Sequence, residues 1–494
     1  MQDGILLAAV DLGSNSFRLE IGRHEHGQLH RTDYLKETVR QGSGLDEARN
    51  LTPQAMQRGW ECLARFAERL ADFRGPQVRA VATQTLREAH NRDVFLARAQ
   101  QVLGFPIEVI SGREEARLIY LGVAHLLPPD GERRLVVDIG GRSTELILGR
   151  RLQAAVMQSW RVGSADWSMK HFPEGLFTQA AFEQAEVAAQ AVLEEALHDF
   201  PRTRWDTAYG ASGTIGAVGD MLAGAGQLPG LITREALAWL RKRLCAARDA
   251  QRVRLEGLKD DRRAVIGGGL AVLRAVFEVL DIDQMHVAQG ALRHGVIYDM
   301  LARDGGTGDV TANSVQRLAQ KFDVDQPQAR RVRRVALALV RQLHGDAGPG
   351  ELARDERQLD WAAQLHEIGS HISHTAYHRH GAYILENADV LGFSQPELHR
   401  LGLLVLGHRG KLRALESELA DAELARQLLC LRLAVILCHA RRNADLRGVR
   451  LRRTGRGFAL ALRPEWLRSY PQSAHLLREE AAAWQKTPSP LALA

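Results

Sequence analysis

The chain has 494 residues, a hydrophobic fraction of 45%, 25% charged residues and a formal net charge of +6, an ordinary composition for a globular protein of about three or four domains. No apolar run reaches the roughly 20 residues that a membrane-spanning helix needs. Four scattered cysteines without a CxxC pair argue against a disulfide framework or a zinc site. The start lacks a basic region before its apolar run, so we expect no signal peptide and a cytoplasmic location.

The first part of the chain alternates between strand and helix patterns. Residues 5–23 predict two strands around a turn, and residues 51–73 predict a helix with Thr52 as N-cap and Pro53 in its first turn. Residues 77–89 and 105–127 each predict a strand that leads into a helix. A second round of strands and helices starts near residue 134, including a helix capped by Thr178 and a strand, glycine turn and helix at 206–222. This alternation predicts α/β domains.

From about residue 304 the pattern becomes almost continuous amphipathic helix. The tail at 448–466 predicts a β-hairpin around "TGRG", and a final helix follows. We therefore predict two α/β domains at 1–126 and 127–303, a helical domain at 304–440, and a small α+β module at 441–494.

Two segments of the α/β region repeat each other. Residues 10–22 are "VDLGSNSFRLEIG" and residues 137–149 are "VDIGGRSTELILG", and they align without gaps. A chance similarity of two hairpins is the alternative, but each hairpin also opens a similar α/β segment. The repeat therefore predicts a duplicated domain.

Glycine-rich turns of this kind suit phosphate, because backbone N–H groups converge on an anion without obstruction by a Cβ atom. An aspartate at the strand end would repel a bare phosphate, but it suits a hard cation such as Mg²⁺. With a third glycine turn at 210–216, the candidate substrate-binding residues are Asp11, Gly13, Ser14, Asn15, Ser16, Gly140, Gly141, Arg142, Ser143, Thr144 and Gly213.

The paired turns resemble the actin, Hsp70 and sugar-kinase superfold, which is ribonuclease H-like. The motifs "VDLGSNSFRL", "SGREEARLIYLGV", "VVDIGGRSTEL", "GASGTI" and "VAQGALRHGVIYDML" are similar to those of the exopolyphosphatase and guanosine pentaphosphate phosphatase family. This resemblance covers nearly the whole chain. It implies duplicated actin-like domains, an all-α HD-like domain and phosphoanhydride hydrolysis that depends on Mg²⁺ or another divalent cation.

The resemblance also implies roles for particular residues. Glu115 would be the catalytic glutamate, although its pattern alone favours an ordinary acidic first helical turn. Asp138 and Glu145 would be the metal-linked carboxylates, and Arg87 would hold a phosphate, a task that suits a planar guanidinium. Lys36 and Arg40 are further candidates near the cleft, either as phosphate ligands or as solvated side chains.

A histidine-rich segment and a basic tail stand outside these motifs. Residues 366–380 contain five histidines, but a His-Glu pair stands where a metal-dependent HD enzyme has His-Asp. We therefore favour a structural and substrate-shaping role there over a second active site. Seven arginines between Arg441 and Arg456 favour a polyanion. Nucleic acid is not expected, because aromatic residues are not interleaved with these arginines.

The expected function is exopolyphosphatase activity in a homodimer, with at most peripheral membrane association. The alternative is hydrolysis of guanosine pentaphosphate, with guanosine tetraphosphate as a related ligand. A sugar kinase of the same superfold, or a non-catalytic polyphosphate or alarmone sensor, is less favoured. Arg142 replaces a glycine that is common in the family, and we expect either a tolerated or a substrate-contacting side chain. Arg142→Gly should then leave turnover largely intact and chiefly change affinity.

Overall fold

The structure, a computed structural model, describes residues 4–25, 28–128, 131–304, 310–344, 349–388, 390–455 and 457–493. The chain forms two compact units, Met1–Gly308 and Asp309–Ala494. Within the described ranges, no helix combines the length and apolar character needed to cross a membrane.

The first unit begins with an α/β lobe, here called the first lobe. Its strands are β1 Ile5–Leu12, β2 Ser16–Glu25, β3 Gln28–Thr38, β4 Val78–Ala82 and β5 Ile107–Val109, and its helices are α1 Pro53–Arg69, α2 Gln84–Glu88, α3 Arg92–Leu103 and α4 Gly112–Ala124. The sheet order is β3-β2-β1-β4-β5, in which β1 pairs antiparallel with β2 and parallel with β4. The Thr52 side chain accepts a hydrogen bond from the N–H of Ala55, which confirms the predicted cap of α1.

A second α/β lobe follows. Its strands are β6 Arg133–Ile139, β7 Thr144–Arg150, β8 Gln153–Trp160, β9 Thr207–Ala211, β10 Leu231–Thr233 and β11 Gln284–Val287. The helices of this part of the chain are α5 Ser164–His171, α6 Gln179–Leu193, α7 Ala196–Asp199, α8 Ser212–Gly224, α9 Arg234–Ala247, α10 Asp260–Arg263, α11 Ile266–Val279 and α12 Leu292–Asp304.

The two sheets share one topology. The order in the second is β10-β11-β9-β6-β7-β8, so β8-β7-β6-β9-β11 repeats β3-β2-β1-β4-β5. The strand directions agree as well, because β6 pairs antiparallel with β7 and parallel with β9, as β1 does with β2 and β4. The duplicated actin-like architecture predicted from the repeat is therefore confirmed.

Helix α12 returns to the first lobe, although the sequence analysis assigned residues up to 303 to the second domain. It packs against α4 and β1. The crossing with α4 is close: a Cβ at Gly122 would lie 2.3 Å from the carbonyl oxygen of Ala291, and one at Gly295 would lie 1.7 Å from that of Leu118. Asp299 of α12 also forms buried ion pairs with Arg79 of β4 and Arg117 of α4, at 2.6 and 2.7 Å. Helix α4 is thereby held firmly from one side.

The second unit is mainly helical, as predicted. Its elements are α13 Val310–Lys321, α14 Gln326–His344, α15 Pro349–Leu365, α16 Tyr377–Asn387, α17 Gln395–Gly407, α18 Ala422–Leu437, β12 Val449–Arg453, β13 Phe458–Leu462, α19 Pro464–Ser469, α20 Pro471–Trp484 and β14 Leu491–Leu493. The predicted hairpin is formed by β12 and β13, and residue 456 of its turn lies outside the described residues. Phe458 and Trp484 share one hydrophobic core with residues of α14 and α18, so the C-terminal segment packs into the helical domain.

Single turns of 3-10 helix connect many of these elements. They occur at Gly42–Gly44, Gly75–Gln77, Pro173–Gly175, Arg202–Arg204, Ala250–Arg252, Ile368–His371, Leu412–Leu415 and Glu418–Ala420.

Candidate active site

The two repeated turns meet at a cavity of about 380 Å³ in the first unit. We name residues 11–16 the first turn and residues 138–144 the second turn. Most of the predicted site residues line this cavity: Asp11, Gly13, Ser14, Asn15, Ser16, Glu115, Asp138, Gly140, Gly141, Ser143 and Gly213. The sequence repeat therefore identified both walls of one cleft.

The turns lie directly against each other. A Cβ atom placed at Gly141 would lie only 3.2 Å from the Cβ of Ser14. The carbonyls of Ser14 and Asn15 accept hydrogen bonds from Gly42 and Arg40, and the carbonyl of Gly140 accepts one from Ser164 at the start of α5. Because N–H and C=O point in opposite directions across a trans peptide, the N–H groups that follow these carbonyls are directed away from those partners. This geometry suits an anion bound between the two turns.

The hairpins carry different charges across their strands. In the first, Arg18 lies opposite Asp11, and its Nη1 is 3.2 Å from the Asp11 Oδ2. In the second, Asp138 lies opposite Glu145, so two carboxylates share one cross-strand position. Burial, together with the charge of Glu115, raises the pKa of Asp138 to about 7 and the pKa of Glu145 well above its ordinary range. A bound cation would relieve this crowding.

Glu115 lies in the first turn of α4, between the walls. The helix is capped by Ser111, whose Oγ accepts a hydrogen bond from the N–H of Glu114 at 3.1 Å. The Glu115 carboxylate lines the cavity and accepts a hydrogen bond from Arg87 Nη1 at 2.8 Å. Burial raises the pKa of Glu115, and the nearby Asp11 adds to the effect, while Arg87 opposes it. A buried carboxylate with a raised pKa is a plausible base for a bound water molecule.

Four predicted residues are described but lie outside the cavity lining: Arg87, Arg142, Thr144 and Glu145. Thr144 is fully buried, and its hydroxyl donates to the carbonyl of Val162 at 2.6 Å. Glu145 accepts a hydrogen bond from Ser159 Oγ at 2.7 Å. Arg87 donates to Gln84, to the carbonyl of Ile110 and to Glu115. A phosphate contact of Arg87 stays a prediction.

Arg142 makes an ionic contact between the lobes. Its guanidinium lies 2.9 Å from Glu88 of the first lobe and 2.7 Å from Asp166 of the second. Arg142 is absent from the described residues with positive φ, so the side chain causes no left-handed strain. A glycine is needed instead at position 163, because a Cβ there would lie 2.4 Å from the backbone nitrogen of Arg142. Two carboxylates already compensate the charge of Arg142. A contact between Arg142 and the substrate stays a prediction.

Several cations line the cavity opposite the acids. Arg18, Lys36, Arg262 and Arg293 all belong to this lining. Burial lowers the pKa values of Lys36 and Arg262, and the charge of Arg18 adds to the effect in both. Lys36 also bridges the lobes through a 2.5 Å contact with Asp261. This crowding of positive charge suits an anionic ligand.

Of these cations, Lys36 was expected near the cleft from the sequence, whereas Arg262 and Arg293 were not expected there. Arg293 lies within the quoted motif at 287–301, where its position in a family motif was the available signal. Arg262 follows two aspartates in "KDDRR", which is typical of a solvated charge cluster. The other candidate, Arg40, is exposed, and its backbone supports the first turn.

The third glycine turn is strained at Ser212. This residue lines the cavity and has a φ of 88°, a left-handed value that is uncommon for a residue with a side chain. The Ser212 Oγ accepts hydrogen bonds from the N–H groups of Thr214 and Ile215. The hydroxyl therefore stabilises the start of α8 at the cavity wall.

The histidine-rich segment of the second unit is partly buried. His366 and His408 are 1% and 2% exposed, and their Nδ1 atoms donate to the carbonyls of Ala363 and Val405. Burial lowers the pKa of both histidines. Among the described residues, no group of three or more histidine, cysteine, aspartate or glutamate side chains is arranged to hold a metal ion. The structural role favoured above for this segment stays a prediction.

Two family models match the chain, and together they span most of it. The model described as the Ppx/GppA phosphatase family matches residues 21–304, and the model of Ppx/GppA phosphatase domain III matches residues 310–481. The boundary between these matches falls between the two compact units.

Curated relatives are similar over nearly the full length. A protein of Vibrio cholerae named guanosine-5'-triphosphate,3'-diphosphate pyrophosphatase is 39% identical over 478 residues, which are 96% of this chain and 95% of the relative. A protein of Pseudoalteromonas translucida with the same name is 39% identical over 477 residues, with the same coverage of both chains.

Solved structures are similar to more than half of the chain. The structure of an exopolyphosphatase from Cytophaga hutchinsonii has a TM-score of 0.54 and 25% identity, and covers 61% of this chain and 98% of its own. The Ppx/GppA family member of Aquifex aeolicus has a TM-score of 0.52 at 24% identity, covers 61% of this chain and 99% of its own, and supports the fold.

Proposed function

The chain belongs to the Ppx/GppA phosphatase family, and on this premise we propose that it hydrolyses the terminal 5'-phosphoanhydride of guanosine pentaphosphate. The observation that carries this choice is the name of the curated relatives at 39% identity over 96% of the chain. From the sequence, polyphosphate was the expected substrate and guanosine pentaphosphate was the alternative. The proposal reverses that order.

The proposed reaction uses Glu115 to orient the attacking water. Water attacks the terminal phosphorus, the anhydride bond to the next phosphate breaks, and orthophosphate and guanosine tetraphosphate leave. The proton of the water passes to the carboxylate of Glu115. The position of this carboxylate in the cavity and its raised pKa support the role.

The remaining residues of the cleft bind the phosphates. The N–H groups of the two turns, together with Arg18, Lys36 and Arg262, neutralise the anhydride oxygens. Arg293 is oriented by Glu20, which lies 3.0 Å from its Nε. Fixed positive groups of this kind stabilise the charge on the transferring phosphoryl group without reorganisation during the reaction.

A divalent cation such as Mg²⁺ fits the acidic side of the cavity. Asp138 and Glu145 are buried opposite each other, and burial followed by the charge of Glu115 raises the pKa of both carboxylates. Mg²⁺ commonly uses one or two carboxylates, with water and substrate phosphates completing its shell. Asp138, which lines the cavity, would be the ligand, and Glu145 on the neighbouring strand would support it with its negative charge. When bound, the cation would neutralise charge on the phosphate oxygens.

Exopolyphosphatase activity is the second candidate. The exopolyphosphatase of Cytophaga hutchinsonii is similar at 25% identity, and both candidate substrates present a terminal phosphoanhydride to the cleft. On β12, the exposed Arg450, Arg452 and Arg453 provide the positive charge that a long polyanion requires.

The test compares phosphate release from guanosine pentaphosphate and from long-chain polyphosphate at equal concentrations of terminal phosphate, with Mg²⁺ and with a chelator. We expect a larger kcat/KM for guanosine pentaphosphate and loss of both activities in the chelator. Glu115→Gln, purified in parallel, is the control for contaminating phosphatases. A larger kcat/KM for polyphosphate would favour the second candidate, and release from neither substrate would contradict both.

A further inference from the structure

A continuous series of hydrogen bonds connects the second turn to Glu115. Arg142 Nη2 donates to Glu88 Oε2 at 2.9 Å, and Gln84 Nε2 donates to Glu88 Oε1 at 2.6 Å. Arg87 Nη2 then donates to Gln84 Oε1 at 2.6 Å, and Arg87 Nη1 donates to Glu115 Oε2 at 2.8 Å. We name these five residues the interlobe relay.

Three members of the relay lie on the single short helix α2. The side chains of its residues 84, 87 and 88 are connected by hydrogen bonds. A displacement of Glu88 would therefore reach Arg87 through Gln84. The amide of Gln84 has a defined orientation, because its NH₂ group donates to Glu88 while its oxygen accepts both Nε and Nη2 of Arg87. The opposite orientation would place donors against donors and acceptors against acceptors.

The relay is buried and charged. The side chains of Glu88, Arg87 and Glu115 are 7%, 10% and 10% exposed. Although burial opposes it, hydrogen bonds from Gln84 and Arg142 hold the pKa of Glu88 below its ordinary value. Hydrogen bonds between charged groups are short, directional and strong where water is excluded. Their geometry therefore depends on every member of the series.

We propose that Arg142 is a positioning residue that couples the second turn to the orientation of Glu115 through Glu88, Gln84 and Arg87. The inference rests on the proposed function, since it assigns Glu115 to the chemistry. A phosphate seated on the second turn fixes the backbone that carries Arg142, and the relay then holds the Glu115 carboxylate in the orientation that water attack requires. Side chains displaced by about 1 Å from a reactive geometry can lower the rate by about 100-fold.

The coupling predicts an effect on kcat rather than on KM, because the Arg142 guanidinium is held by Glu88 and Asp166 outside the cavity lining. In Arg142→Gln we expect kcat for phosphate release to fall by about 10-fold and KM to change by less than about 3-fold. This replaces the expectation from the sequence, in which loss of the Arg142 side chain leaves turnover largely intact and chiefly changes affinity. Glu88→Gln should have a similar effect. The double variant should be no slower than the slower single variant, since both substitutions break the same series. Arg142→Lys should regain part of kcat, because its single ammonium retains one of the two carboxylate contacts.

The chain offers a matched control in Arg161. This arginine also approaches Glu88, at 3.5 Å from Oε1, but its side chain is 67% exposed and it stands outside the relay. Arg161→Gln removes the same charge from the same carboxylate, and kcat should remain near that of the unmodified protein. Thermal unfolding of each variant verifies that it is folded.

Hydrogen exchange provides a readout that does not require activity. Arg142→Gln should accelerate amide exchange at 84–88 and at 111–118, and Arg161→Gln should not. The proposal is overturned if kcat is unchanged, if the losses in the double variant multiply, or if residues 111–118 exchange as in the unmodified protein. If the unmodified protein releases phosphate from neither substrate, the proposed function fails by itself, and the exchange result alone decides whether the coupling exists.

Discussion

The two turns of the cleft lie in hairpins with the same strand pairing, but the two hairpins carry different charges. Each contains the Val-Asp pair near the end of a buried strand, and each leads into an antiparallel partner strand. The position opposite the aspartate is Arg18 in the first hairpin and Glu145 in the second. One wall thereby gains an internal ion pair, and the other gains two crowded carboxylates. Under the proposed function, this one cross-strand residue would divide phosphate binding and cation binding between the two copies of the duplicated fold.

The largest expected effect concerns Glu115, which belongs to neither hairpin. If the turns bind and Glu115 acts on the water, Glu115→Gln should lower kcat by about 100- to 10,000-fold while substrate affinity is retained. Phosphate release and calorimetric titration with guanosine pentaphosphate measure the two properties separately. Near-normal turnover would remove Glu115 from the mechanism.

The next effect tests the acidic hairpin. Glu145→Gln keeps the shape and the contact with Ser159 but removes one negative charge. We expect kcat/KM to fall by about 10- to 100-fold at low Mg²⁺, as when a group that supports a metal is altered, with partial recovery at higher Mg²⁺. A Mg²⁺ titration of activity measures the shift. An unchanged half-saturating Mg²⁺ concentration would contradict the assignment of this hairpin to the cation.

The basic hairpin should respond differently. Arg18→Gln removes a cation from the cavity lining, so we expect KM to rise by about 10-fold, as for the loss of a charged hydrogen bond. The half-saturating Mg²⁺ concentration should stay the same. Titrations of substrate and of Mg²⁺ on the same preparation measure both properties. If Arg18→Gln and Glu145→Gln change KM and the half-saturating Mg²⁺ concentration alike, the proposed division between the hairpins is wrong.

The smallest effect is on stability without divalent cations. Glu145→Gln relieves repulsion with Asp138 and Glu115, so the melting temperature in a chelator should rise. Arg18→Gln leaves the buried Asp11 without its ion-pair partner, so the melting temperature should fall. Each shift should be about 2–4 °C, measured by differential scanning calorimetry. Shifts of the same sign would indicate that the two hairpins are electrostatically alike.

The sequence predicted those features that short motifs carry. The repeated turns and the capped helix α1 depend on local patterns of glycine, aspartate and helix caps, whereas Glu115 was identified through the resemblance to a family motif. Strand β3 was not predicted, because only three of its 11 residues, Leu29, Tyr34 and Leu35, are apolar and because it lies at the edge of the sheet.

Long-range placement was beyond the sequence. Arg262 and Arg293 look like ordinary charged helical residues, and only the packing of their helices brings them to the cavity. Arg142 shows the same limit, since its neighbours Glu88 and Asp166 lie 54 and 24 residues away along the chain. No motif records which distant carboxylate an arginine will meet.

The return of α12 to the first lobe has a consequence for synthesis. The first sheet is complete in sequence at Val109, but the helix that packs on β1 begins only at Leu292. At about 5–20 residues per second, this interval lasts on the order of 10–40 s on the ribosome. During this interval, Asp299 has not yet been synthesised, and Arg79 and Arg117 lack the carboxylate that they share in the finished protein. The lobe that leaves the ribosome first is therefore the later of the two to be completed.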